Sequence, residues 1–260
     1  MNDKFGEYNL YHFAYCGTDD SFYRKLENLS ELAEQEIWGF DETNPLSILK
    51  IYIYRTFERC NSQNKILVSK DQEYACSNTG LLTPYGKDIL MYFGRNLKEG
   101  VSPWYFRDFK VYTDREVMNH FCSVPELATY ADDYEQLYFK PGMHMEVSYD
   151  HILDDNWERI HNEIPFDKAV VRTLLFGAIE DAKLRVKRNL RLAVPQFYKN
   201  QIMFLLPIKI PISDEKQVTM ALAVEETEQK QYRANTIFTR EMAYEKARLL
   251  MKPDSNWLIE

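Results

Sequence analysis

Two short segments hold residue types and spacings that could do chemistry. In REMAYEKARLLM, residues 240–251, Tyr244 and Arg248 stand four apart and so share one face of a helix. Met242, Ala243, Leu249 and Leu250 make much of that helix apolar, and an arginine carried inward must meet a carboxylate, carbonyls or a ligand phosphate. Asp254, six residues on, could be that carboxylate; a polar pocket shared with Thr236 and Asn78 is the other destination, and the one expected here. In YDHILDDNWERIHNE, residues 149–163, Asp150, Asp154 and Glu158 recur at the helical spacing of four, with His151 and Asp155 beside them. Such a group could exchange protons, or hold a divalent metal through its oxygens and imidazole. An acid-rich helix start also complements the helix dipole unaided, so no metal ligand is assigned and no cofactor is predicted, with a divalent metal as the alternative.

A third feature is electrostatic. Residues 182–213 contain no Asp or Glu but seven bases, Lys183, Arg185, Lys187, Arg188, Arg191, Lys199 and Lys209. Residues 114–163 hold twelve acids against three bases. The net charge of −8 argues against indiscriminate coating of nucleic acid, yet one basic segment can still take a discrete anion. SNTGLLT, residues 77–83, is the nearest thing to a binding turn, with donors on Asn78 and Thr79 and with Gly80 free to adopt positive φ. Walker loops, GxGxxG, GxSxG and HExxH are all absent, and nine glycines are few for a phosphate cradle.

The elements that must position these residues can be read from periodicity. Helical spacing covers 20–35 and 44–62, the second expected to open with Asn44 as cap and Pro45 at the first helical position. Strands are expected at 66–70, 73–78, 88–94, 105–113 and 144–150, with 73–94 a hairpin. A long amphipathic helix over 166–194, ended by Pro195, places Leu175, Ile179, Ala182, Val186, Leu190 and Ala193 on one stripe. Strands at 201–210, 218–226 and 231–239 follow, then the helix 240–251. In 231–239, simple alternation puts Tyr232, Ala234, Thr236 and Phe238 on one face. Helices and antiparallel hairpins in runs predict an α+β fold with a mostly antiparallel sheet, flanked by helices at both ends. With no linker in sight, one domain is expected over 1–260, with an N-terminal helical subregion 1–62.

Hydrophobic residues make up 45% of the chain, ample for a core, and no apolar run reaches the ~20 residues that span a bilayer. The start of the sequence lacks the basic and apolar regions of a signal peptide. Cys16, Cys60, Cys76 and Cys122 are dispersed, which fits buried thiols in a reducing cytoplasm.

Taken together, YACSNTGLLT, DILMYFGRN, DHILDDNWERI, FGAIEDAKLRVKRNLRLAVPQFY, QIMFLLPI, YRANTIFTREMAYEKARLL and KPDSNWL resemble a bacterial domain-of-unknown-function family. Its members occur alone or joined to OST-HTH (LOTUS) and cold-shock modules, which bind RNA. The resemblance runs from about Phe13 to Leu258 and implies an RNA-associated role. Its pattern falls on Asn78, Thr79, Gly80, Arg95, Asn96, Asp150, His151 and Asp155. It falls also on Lys183, Arg185, Arg188, Gln201, Tyr232, Thr236, Tyr244 and Arg248. The chain departs from it at Ser77, where an aromatic is expected, and at Glu245 and Lys246, where paired asparagines are.

Three functions follow as expectations. The first is an RNA- or nucleotide-binding domain, with the basic helix and Arg248 on phosphates, Tyr232 or Tyr244 stacking on a base, and Asn78 or Gln201 reading its edge. The second is a phosphodiester- or nucleotide-processing enzyme, in which His151 moves the proton and Asp150 or Asp155 orients it. That requires the acidic segment and the basic helix to meet in one cleft. The third is a protein-interaction or regulatory domain. RNA or a nucleotide is the expected partner, a protein partner the alternative; no membrane is expected.

Overall fold

A computed structural model describes residues 9–98 and 101–259. The fold is α+β, with two five-stranded sheets, and the chain divides into two compact units, Met1–Thr129 and Tyr130–Glu260. One domain over 1–260 would require both units to unfold in a single transition, which calorimetry on the full chain reads directly. Residues 1–8 of the expected helical subregion 1–62 lie outside the described residues.

The first unit runs α1 (Asn9–Phe13), β1 (Ala14–Tyr15), α2 (Asp19–Leu32), α3 (Ser47–Ser62), β2 (Leu67–Val68), β3 (Tyr74–Leu82), β4 (Asp88–Arg95), β5 (Trp104–Val111) and α4 (Arg115–His120). Its sheet has the order β1-β5-β4-β3-β2, antiparallel except for β1 beside β5. The hairpin expected over 73–94 is β3 and β4, closed by the turn at 83–87. Thr18 caps α2, its hydroxyl accepting from the Ser21 N–H at 3.3 Å. α3 opens at Ser47 rather than at Asn44 and Pro45, and no side chain caps it. A turn over 41–46 takes those residues instead, and the Ile48 N–H is satisfied by the Trp38 carbonyl at 2.8 Å. The helices α1, α2 and α3 cover one face of the sheet with an aromatic core, in which Phe13 meets Phe57 and Phe93, and Phe22 meets Phe106.

In the second unit a 3-10 turn (Tyr134–Leu137) leads to β6 (Met145–Val147), α5 (Tyr149–Glu163), α6 (Lys168–Arg188), a second 3-10 turn (Leu190–Leu192), and β7 (Val194–Tyr198). Then come β8 (Gln201–Pro211), β9 (Gln217–Glu226), β10 (Tyr232–Phe238), α7 (Arg240–Arg248) and α8 (Asn256–Ile259). The sheet order is β6-β10-β9-β8-β7, with only β6 and β10 parallel. α6 stops at Arg188, short of the expected 194, because Asn189 caps the following 3-10 turn through the Arg191 N–H. Pro195 does not end the helix; it sits in β7, an edge strand that tolerates a missing N–H. Of the expected stripe, Leu175, Ile179, Ala182, Val186 and Ala193 are buried, whereas Leu190 is exposed. α7 also ends early, at Arg248.

β10 departs from simple alternation. Ala234 pairs with Val224 but Thr236 with Ala223, so Asn235 is an extra, bulged residue. Tyr232, Ala234 and Ile237 join the core against α5 and α6. Thr236 and Phe238 fall on the opposite face, with Ala223 and Ala221, contrary to the alternation expected for them. Among the described residues, α7 adds none to that core and lies against β7, β9 and β10.

Candidate functional site

The expected site residues divide between the two units, and most are engaged within their own. Asn78 is buried: its amide donates to Asp88 Oδ1 at 3.0 Å and to the Pro125 carbonyl at 3.1 Å, and its oxygen accepts from the Gly80 N–H at 2.8 Å. Thr79 donates to the Ile89 carbonyl at 2.6 Å. Gly80 has φ +74, and a Cβ there would come within 2.7 Å of the Tyr52 hydroxyl, which donates to the Thr79 carbonyl. The Asn-Thr-Gly turn therefore reads as a packed irregularity in β3. Arg95 is exposed, its guanidinium 5.4 Å from the Trp104 ring. Asn96 donates to the Ser102 carbonyl at 3.1 Å.

In the second unit, Tyr232 is fully buried. Its ring stacks on Phe139 at 4.6 Å and its hydroxyl accepts the Lys140 N–H at 2.9 Å, which leaves neither face for a base. Tyr232→Phe is expected to cost about 0.5–1.5 kcal/mol in urea denaturation, the value of one buried hydrogen bond, with RNA affinity unchanged. Tyr244 and Arg248 share the buried side of α7, as their spacing implies. Gln201 is exposed and reaches Glu225 at 3.4 Å.

The acidic segment forms α5, and two of its acids face the start of α6. Asp150 pairs with Arg172 at 3.2 Å and Asp154 with Lys168 at 2.5 Å, while His151 lies 3.3 Å from Asp155 on its own helix. Arg172 and Lys183 are separated by eleven residues of helix, ~16 Å. Lys183 and Arg185 are spent on Glu180 and Asp181, and Arg188 on the Leu184 carbonyl. These pairs are exposed and worth little, so Asp150→Asn and His151→Ala should each shift the unfolding free energy by less than about 0.5 kcal/mol. Among the described residues no three His, Cys, Asp or Glu side chains gather to hold a metal ion. Burial pushes the Cys16 and Cys76 thiols up to about 12, far from thiolate chemistry. Cys60 is buried as expected, but Cys122 is exposed.

What remains is a chain of rings and cations in the second unit that periodicity did not single out. β7 and β8 join through a two-residue loop, Lys199 and Asn200, both at positive φ (48 and 62) as a tight hairpin demands. The loop folds the Lys199 ammonium back to 5.4 Å from the Tyr198 ring, and Lys246 of α7 approaches the same ring to 5.9 Å. Lys246 also lies 4.9 Å from Phe238, which the β10 bulge has turned to this face. The Arg159 guanidinium, 5.6 Å from Phe238, is fixed by bonds to the Ile237 carbonyl and to Asn156. Tyr198 is 48% exposed. The same stretch contributes Lys187 and Arg191, which make no ion pair among the described residues. The sequence signal was present in the acid-free run 182–213, but residues 195–200 carried no assigned element.

Over residues 29–257 the chain matches the family described as a domain of unknown function (DUF3825), and it belongs to that family. No curated protein and no solved structure matches it. No described helix is long and apolar enough to cross a membrane.

Proposed function

We propose that this protein binds single-stranded RNA, or the nucleotides that compose it, at the cation–aromatic patch around Tyr198. One observation carries the reading: a half-exposed tyrosine ring with two ammonium groups upon it, in a stretch free of acids. Single strands are held by stacking of bases on aromatic rings and by cations along the backbone, and this patch supplies both. Lys199 and Lys246 meet phosphates, while Tyr198 takes a base. Lys187 and Arg191 extend the positive field along the segment leading into β7. The resemblance to a bacterial family whose members also occur joined to OST-HTH and cold-shock modules adds weight to RNA as the ligand.

The reading is tested by titrating a labelled single-stranded oligoribonucleotide with the full chain at low and moderate salt, then running the recovered RNA on a denaturing gel. Binding that weakens with salt and returns intact RNA is expected. Shortened RNA would point to catalysis instead, and salt-independent or absent binding would overturn the proposal.

A further inference from the structure

The face of the first sheet turned away from α2 and α3 carries a second aromatic array, with a different character. Tyr74 of β3 is directly opposite Gly94 of β4, Gly94 is opposite Tyr105 of β5, and Tyr105 is beside Tyr15 of β1. Four adjacent strands thus present Tyr, Gly, Tyr and Tyr in one row, ~14 Å long at the usual strand spacing. Gly94 is what lets Tyr105 lie down. A Cβ at that position would stand 2.8 Å from Tyr105 Cε1 and Cζ and 2.9 Å from its hydroxyl, so the ring covers the glycine. Its outer side remains open: Tyr105 is 37% exposed, and Tyr15 59%.

Polar groups border the row. The register of β4 and β5 shifts between Tyr92 and Phe93, which leaves Arg107 as the bulged residue. Its guanidinium lies 5.7 Å from both the Tyr74 and the Tyr92 ring and is held by Glu116 at 2.9 Å. Burial opposes that charge, but Tyr105, Glu116, Tyr92 and Tyr74 outweigh it, so Arg107 stays firmly a cation. His120 stacks on Tyr74 at 3.9 Å and closes one end. The Tyr92 hydroxyl, in the next row, is buried and has no hydrogen-bond partner among the described residues. An orphaned donor beside an arginine and a carboxylate is a costly arrangement.

We propose that this row is a platform for an unpaired nucleobase, which stacks on Tyr105 and presents its polar edge to Arg107 and Glu116. Three features favour that occupant. A ring laid flat makes a plane, which suits a base, whereas proline-rich peptides dock in grooves between aromatic side chains. A donor fork beside a carboxylate matches the mixed donor and acceptor edge of a purine. Arg107 and Lys110 are both paired with acids, so the platform offers little for a polyphosphate and selects for the base itself. The inference is independent of the Tyr198 patch, since it rests on other residues in the other unit.

The test uses adenosine and guanosine, which lack phosphate, with saturation-transfer NMR on the full chain. Wild type and Tyr105→Phe are expected to bind alike, and Tyr105→Ala roughly tenfold more weakly, the loss of one stacking partner. Tyr15→Ala, on the exposed edge strand, is the second probe should Tyr105→Ala fail to fold, and it is expected to weaken binding as well. In a Tyr198→Ala background, which removes base stacking at the other patch, the further loss on adding Tyr105→Ala reports the platform alone and separates failure here from failure of the RNA reading. Absence of nucleoside binding, equal binding by the tyrosine-to-alanine variants, or displacement of the nucleoside by a polyproline peptide would overturn the platform.

Discussion

Replacing Tyr198 with alanine should weaken single-stranded RNA binding roughly five- to a hundredfold, the range measured for losing one base–aromatic stack. Stability should change little, because the ring is half exposed on an edge strand and the cations over it are two lysines worth about 0.5–1 kcal/mol each at an exposed site. Tyr198→Phe keeps the stacking face and is expected to bind almost as wild type does. Fluorescence anisotropy with a labelled oligoribonucleotide, paired with a thermal melt of each variant, checks both halves. Loss of affinity in the phenylalanine variant would move the interaction from the ring to the hydroxyl. Retained affinity in the alanine variant would remove Tyr198 from the site.

The second large effect is on stability. Asn78→Ala removes three hydrogen bonds of a buried side chain at once, one of them fully buried and two partly, and takes from the buried Pro125 carbonyl its amide donor. Unsatisfied buried groups cost about 1–3 kcal/mol each, so a loss of about 2–4 kcal/mol is expected, on the order of 5–15 °C in melting temperature. RNA affinity of the protein that remains folded should be unchanged. The opposite pattern, a normal melt with lost affinity, would restore Asn78 to the edge-reading role that its side chain and turn suggested.

That contrast shows where sequence reasoning reached and where it stopped. The α+β class and the strands β3, β4, β5, β8, β9 and β10 were readable because each carries a run of apolar or β-branched residues between turn signals. The core stripe of α6 was readable for the same reason. Polar residues such as Asn78, Thr79 and Tyr232 look alike in sequence whether they serve a ligand or the interior, because only the position of a partner ten to ninety residues away distinguishes the two. Bulges are equally silent: one at Asn235 turns Phe238 and Thr236 to the other face, and one at Arg107 aims its guanidinium over the tyrosines. The row of Tyr74, Gly94, Tyr105 and Tyr15 depends on the register of four strands, three of them distant in sequence from the first. The acid-free run 182–213 located the basic segment; of its helical cations Lys183 and Arg185 are paired with acids, and the cation–aromatic contact lies at the hairpin beyond.

The reading of the Tyr198 patch as an RNA site is tested most directly by the salt dependence of binding in the full chain, compared with the double variant Lys199→Gln, Lys246→Gln. Each phosphate contact on a single strand contributes about 0.7 to the slope of log K against log salt. The variant is expected to bind more weakly at low salt and to show a slope smaller by about 1.4. Identical slopes for the two proteins would place the phosphates elsewhere and contradict the account.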